Sequence, residues 1–256
     1  MRKYFFNSLS AFYADIKNVA GHKLFDYSLR RDREYFTGLK LDEINRCKFT
    51  YQPGVEKIRQ MAEVKVEKDV KVRYYDQFDG FDINIDRMID GLDFLVNERK
   101  VRKLPRTIDL LLNITEAGGV NYENMLSKTY ATLRIADHLE SLGVRVAVYV
   151  CCPVTPIYHK GKGQPFYLEI CVKKYADPVN LGALCTSISP WFLRHWVFAW
   201  IIGRDARIDI ERVGLVTPMP ASERRGILID TGQCYSTSEA NAFISNIKIT
   251  PPELIS

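Results

Sequence analysis

The chain has 256 residues, 46% hydrophobic and 26% charged, with a formal net charge of +5. That balance suits one large globular domain, or one domain with an elaboration, and excludes a disordered or collagen-like chain. The mild basic excess is compatible with a polyanion partner but is far from a histone-like excess.

No apolar run is long enough to span a bilayer; the longest, residues 191–203, is interrupted by Arg194 and His195. Cations precede Phe5 and Phe6, but Asn7, Ser8 and Ser10 break the apolar character and Asp15 ends it, so no secretory leader is expected. The 6 cysteines fall mostly inside apolar patterns and form no C-x-x-C, which reads as free thiols in a reducing cytoplasm.

In chain order, residues 4–19 predict a first helix with Phe5, Leu9, Phe12, Tyr13 and Ile16 on one face. Arg30, Arg31 and Arg33 form a charged surface stretch. A turn follows at 35–38 and a short helix at 41–44. Pro53-Gly54 reads as a breaker, and residues 55–64 as helix. Residues 70–75 alternate as a half-exposed strand, with 81–85 as its hairpin partner and a helical turn at 86–89. Arg99, Lys100, Arg102, Lys103 and Arg106 then crowd around Pro105.

Residues 107–150 carry the clearest pattern. An apolar run at 108–114 predicts a buried strand, and a polar loop at 115–121 contains Gly118-Gly119. Tyr122, Met125, Leu126, Thr129, Leu133, Ala136, Leu139 and Leu142 recur at helical spacing, with Asn121 as N-cap and Gly143 as the stop. A β-branched run at 144–150 completes a βαβ unit, whose loop lies at the carboxyl end of the first strand.

Pro153 and Pro156 predict turn or extended geometry, and residues 157–165 a mobile basic loop with His159, Lys160 and Lys162. A third strand is expected at 166–172. Asp177-Pro178 predicts a helix start, and 191–202 a helix apolar on most sides. Residues 208–216 are ambiguous, 217–225 read as loop, and 226–230 as a last strand ending on Asp230. Ser236 and Glu239 form a capping box before the final helix. Strands alternating with helices from Ile108 onward make the class α/β. The expected organisation is an N-terminal helical and β-hairpin elaboration over 1–103 and an α/β core over 104–256, as one continuous unit.

The chemistry-bearing patterns are sparse. No dinucleotide fingerprint, P-loop or nucleophile elbow is present, and the 4 histidines sit in no triad-like setting. No cofactor is expected, and the reading is a non-enzymatic protein. The cations instead lie near rings: Tyr158 beside Lys160 and Lys162, and Tyr35 and Phe36 beside Arg30, Arg31 and Arg33. Grooves for single-stranded nucleic acid combine phosphate-neutralising cations with stacking rings. The candidate contacts are therefore Arg30, Arg31, Arg33, Arg99, Lys100, Arg102, Lys103, Arg106, Tyr158, Lys160 and Lys162.

The strand, loop, helix and returning strand over 107–150 resemble a von Willebrand factor A-type domain. The resemblance implies a mostly parallel, Rossmann-like sheet with helices on both faces. It also implies a metal loop after the first strand, where that family has aspartate, serine and serine. Asn113, Thr115 and Ala117 stand there, which removes a charge and a ligand, so no metal is expected. An alternative reading is a cation-dependent protein-interaction module using Asn113, Thr115, Glu116 and Asp230. A further alternative is an enzyme with a site at the carboxyl edge of the sheet.

The order of motifs across most of the chain also resembles a group of tailed-bacteriophage proteins. These motifs are Tyr35-Phe36-Thr37-Gly38, Pro53 to Lys57, Phe81-Asp82-Ile83 and the strand at 227–230. Within that group the similarity is to single-stranded-DNA-binding transcription activators of podophages that carry a small two-subunit RNA polymerase. It implies a cytoplasmic protein of the infected host, with single-stranded DNA and a phage polymerase or replication protein as partners, and no membrane.

Overall fold

The computed structural model of the chain describes residues 1–29, 37–61, 72–76, 82–83, 85–89, 92, 95–99, 107–158, 161–205, 207–208 and 214–247. It is an α/β protein with a mostly parallel central sheet. The main path of that sheet runs β1 (Arg2–Phe6), β8 (Phe166–Lys173), β6 (Arg145–Tyr158), β5 (Thr107–Asn113), β10 (Ile227–Ile229). The β1/β8, β5/β6 and β5/β10 pairs are parallel, whereas β6/β8 is antiparallel. Two short strands, β7 (Gly161–Lys162) and β9 (Gly214–Val216), pair antiparallel with the far end of β6.

The N-terminus departs from expectation. Residues 2–6 are a strand, not the start of a helix, with Arg2, Tyr4 and Phe6 turned inward and Lys3 and Phe5 outward. A two-residue period wins there over the helical one. Helix α1 (Leu9–Leu29) begins where Ser8 Oγ accepts the Ala11 N–H at 3.1 Å. Its Leu9, Phe12, Tyr13 and Ile16 are buried. Helix α2 (Leu41–Arg46) follows. Helix α3 (Gln52–Met61) starts ahead of expectation, with Pro53 and Gly54 in its first turn, where a missing N–H costs nothing. Gly54 lets the helix approach the core, since a Cβ there would stand 2.0 Å from Tyr122 Oη.

A separate three-stranded sheet has β2 (Val72–Asp76) and β3 (Asp82–Ile83) each pairing with β4 (Leu95–Arg99). The expected hairpin between the first two is therefore replaced by a shared central partner. Helix α4 (Ile85–Ile89) lies between β3 and β4 in sequence.

The predicted βαβ unit is present. Helix α5 (Tyr122–Ser141) is capped by Asn121, whose side chain accepts the Asn124 N–H at 3.0 Å, and the chain leaves it at Gly143, φ +77°. Strand β6 runs on past 150 through both prolines to Tyr158, and β7 pairs antiparallel with its end, where a mobile loop was expected. Helix α6 (Leu181–Ser187) is capped by Asn180, not by Asp177. Then a π-helical segment (Phe192–Val197) leads into α7 (Phe198–Arg204), and α8 (Thr237–Asn246) closes the chain.

The two faces of the sheet differ. Leu110, Leu112, Val148, Val150, Leu168 and Ile170 join one continuous core with Phe12, Ile44, Ile58, Leu126, Leu184, Trp200 and Ala240 from the helices. Residues on both sides of position 104 thus share a core. The opposite face carries a small cluster of Leu111, Cys151, Tyr167 and Met219. Among the described residues, the helical side chains join the first core only, so the helices line one face where the A-domain resemblance implied two.

Candidate functional site

The ligand-bearing place in an open parallel sheet is the crevice at its carboxyl edge. Asn113 ends β5 and Asp230 follows β10, its parallel neighbour, so register places them side by side. Asn113 Nδ2 donates to Asp230 Oδ1 at 2.7 Å and to the Thr217 carbonyl at 3.0 Å. Asn113 Oδ1 accepts the Thr115 N–H at 3.0 Å and also the Thr115 hydroxyl. The structure therefore unites Asn113, Thr115, Glu116 and Asp230, the four residues of the cation-dependent alternative.

It also adds residues that close the place. Lys128, fully buried on α5, pairs with the Glu116 carboxylate and donates to the Asn113 carbonyl at 2.9 Å. The other Glu116 oxygen accepts from Thr231 Oγ1 at 2.9 Å and from the Tyr235 hydroxyl. Burial pulls the Lys128 pKa down, and the Glu116 charge opposes that shift. Burial and the bond to Glu116 push the Tyr235 phenol up to about 12.

Asp230 is similarly consumed. It accepts the Met219 N–H at 3.1 and 3.2 Å and the Thr231 N–H at 2.9 Å, and Arg224 stands 3.8 Å away. Strand β9 pairs with β6 at 154–156, beyond the end of β5, and residues 217–219 then cross the ends of β5 and β10. The crevice is thus filled by the chain itself. A divalent cation would have to displace the Lys128 ammonium from Glu116 and the Met219 N–H from Asp230. Chemically the edge is a lock joining β5, β10, α5 and the 217–219 segment.

Two arginines extend that lock. Arg194, from the π-helical segment, donates to the carbonyls of Ala117 at 3.0 Å and Val120 at 2.8 Å, fixing the loop after β5. Arg225 reaches over the second sheet face, bonding Glu169 at 2.6 and 2.9 Å and pairing with Asp109 at 2.5 Å, over the Tyr149 ring. Lys3 holds Glu223 of the same segment at 2.7 Å.

Sequence reasoning missed Lys128, Arg194, Arg225, Thr231 and Tyr235 as parts of this network. Lys128 left one signal: it lies three residues after Met125 and four before Thr132, inside the buried stripe of its helix.

Of the nucleic-acid candidates, Arg99, Tyr158 and Lys162 lie among the described residues. Arg99 ends β4 opposite Val72, and Lys162 lies on β7 opposite Ile157. Arg30, Arg31, Arg33, Lys100, Lys160, Arg102, Lys103 and Arg106 lie outside the described residues, as do His159, Tyr35 and Phe36. Tyr158 is engaged within the protein. Its hydroxyl donates to Asp205 at 2.9 Å, Arg207 sits 4.8 Å over its ring, and the ring packs against Gly163. Thr107, next after the first basic segment, pairs with Arg145 at one end of β6, while Tyr158 is at the other end. At ~3.3 Å per residue those ends of β6 are about 40 Å apart.

The cysteines are free thiols, all buried but Cys47. Burial raises Cys151 to about 12 and Cys234 to about 11, which leaves them protonated and inert. No described helix is long and apolar enough to cross a membrane.

The fold and this edge define a class: an α/β protein whose carboxyl edge is closed by its own hydrogen bonds. A family profile described as a domain of unknown function (DUF7192) matches residues 2–250, and the chain belongs to that family. No curated protein and no solved structure matches the chain.

Proposed function

We propose that the chain is a non-enzymatic accessory protein that binds single-stranded nucleic acid, of the kind tailed bacteriophages use in transcription or replication. The observation that carries the reading is the contrast between a self-satisfied carboxyl edge and basic segments that in sequence precede β5 and follow β6. A strand bound by such segments would have its phosphates neutralised there and need no preformed pocket. On this reading the β5–α5–β6 unit is A-domain-like, and the Lys128 ammonium is the cation held by Glu116. The second sheet face, bridged by Arg225 and lined by the exposed Phe5, is the surface we assign to a polymerase or replication partner.

Titration of labelled single- and double-stranded oligonucleotides at low salt tests the proposal. Preferential, salt-dependent binding of the single strand is expected; no binding to either at low salt removes it.

A further inference from the structure

The turn between α2 and α3 differs from every other surface segment so far described, because it presents a ring and an ammonium together on a fixed mount. Phe49 at its tip is 49% exposed. The residues on either side are tied down through their backbone. Thr186 Oγ1 donates to the Cys47 carbonyl at 2.9 Å, and the Tyr13 hydroxyl donates to the Lys48 carbonyl at 2.7 Å. Thr50 packs against Gly182, where a Cβ would come within 2.7 Å of its hydroxyl oxygen. Tyr51 is wedged between Tyr122 and Trp191, with centroids at 5.0 and 4.4 Å. The tip is therefore preorganised, which lowers the entropy lost on binding.

Lys48 is held over three rings. Its ammonium lies 4.3 Å from the Tyr13 centroid, 5.2 Å from Trp196 and 5.7 Å from Phe49. The π-helical segment supplies Trp196, and Tyr13 meets Phe49 edge-on at 5.2 Å. Among the described residues no carboxylate pairs with Lys48. The nearby acids are committed: Asp42 to Arg46 at 2.7 Å, and Glu43 to the Lys40 N–H at 3.0 Å. Partial burial and then the charge of the exposed Lys17 lower the Lys48 pKa, so the two ammoniums repel each other. An anion between the two ammoniums relieves that repulsion.

We propose that this turn is a nucleotide contact, with Phe49 stacking on an unpaired base while Lys48 and Lys17 take the flanking phosphates. The inference rests on the single-strand reading above and places one of its contacts at a position outside the basic segments read from the sequence. An acidic peptide would use the same ammoniums but would gain nothing from the ring face.

The test is anisotropy with a labelled thymidine oligonucleotide and with the same strand carrying abasic sites. Phe49→Ala is expected to weaken binding to the thymidine strand roughly 5- to 100-fold, as stacked bases do elsewhere. Phe49→Trp should keep binding, and Phe49→Leu, which preserves packing on Tyr13 without a π face, should behave like the alanine variant. On the abasic strand the wild-type chain and Phe49→Ala should bind equally. Lys48→Gln should reduce the log–log salt slope by about 0.7. If the wild-type chain binds the thymidine strand and Phe49→Ala matches it within twofold, the contact is overturned. Equal loss on the abasic strand also overturns it, assigning the effect to charge or acidic-ligand chemistry. Failure of the wild-type chain to bind any strand overturns the functional reading itself.

Discussion

The carboxyl edge of β5 and β10 and the α2–α3 turn concentrate polar or aromatic chemistry in opposite ways. At the edge Glu116, Lys128, Asn113 and Asp230 are buried or nearly so, and each has protein partners. At the turn Phe49 faces solvent, Lys48 lies among rings, and Lys17 of α1 beside it is exposed. A polar cluster at the expected end of a sheet is therefore no sign of a ligand once its donors and acceptors are matched. An unmatched charge beside a rigid exposed ring is the stronger pointer.

This contrast predicts a hierarchy of effects. The largest is at Lys128. Lys128→Met leaves Glu116 buried without its cation and should cost about 3–5 kcal/mol in urea unfolding. The double variant with Glu116→Gln should cost less than the sum of the single changes, because the pair acts as a unit. An additive result would mean the two groups do not form a closed pair.

Asn113→Asp places in the loop after β5 the residue type that the A-domain family uses for its metal. It also turns a donor to Asp230 into a second acceptor, so a destabilisation of about 1–3 kcal/mol is expected. Millimolar magnesium or manganese should not raise the melting temperature of that variant or of the wild-type chain. A rise in either would turn the edge back into a cation site.

A third effect lies at the far end of β6. Hydrogen bonds from the Arg207 side chain, together with those from its backbone and from Tyr158, hold the Asp205 carboxyl well below the usual carboxylate range. A depressed folded value means that the contribution of Asp205 is complete above the ordinary carboxylate value near ~4, and is lost as pH falls below it. Asp205→Asn should lower stability by about 1–2 kcal/mol at neutral pH and flatten the acid limb of the stability profile. An unchanged limb would remove Asp205 from the links that hold β6 and β7 in place.

The smallest stability effect is expected at the turn itself. Phe49→Ala should change unfolding by about 1 kcal/mol or less, since half the ring is already exposed. A larger loss would show the ring to be a packing residue.

Much of the fold was legible because its signals are local. The apolar run into Asn113, the Asn121 cap, the periodic face of α5 and the Gly143 stop each act within a few residues, and the βαβ unit follows from them. The N-terminal strand was not legible. Phe5, Leu9, Phe12 and Ile16 fit a helix well enough to hide the alternation of Arg2, Tyr4 and Phe6, and pairing with β8 lies far along the chain. At Pro153 and Pro156 the sequence left turn and extended geometry both open, because the strand's continuation there depends on pairing with β8 and β9. At the edge the loop residues were visible, but their closure depends on Lys128, Tyr235 and residues 217–219, which only the fold brings together. The Lys48 cluster was invisible in the same way: Tyr13, Phe49 and Trp196 come from three separated elements.

The most direct measurement is photocrosslinking of a 5-iodouracil single strand to the intact chain, with the adducts mapped by mass spectrometry. The contrast between the two regions predicts an adduct on the peptide carrying Phe49, lost in Phe49→Ala. Adducts confined to Tyr235 or to the 115–121 loop would place the strand at the carboxyl edge and contradict the account.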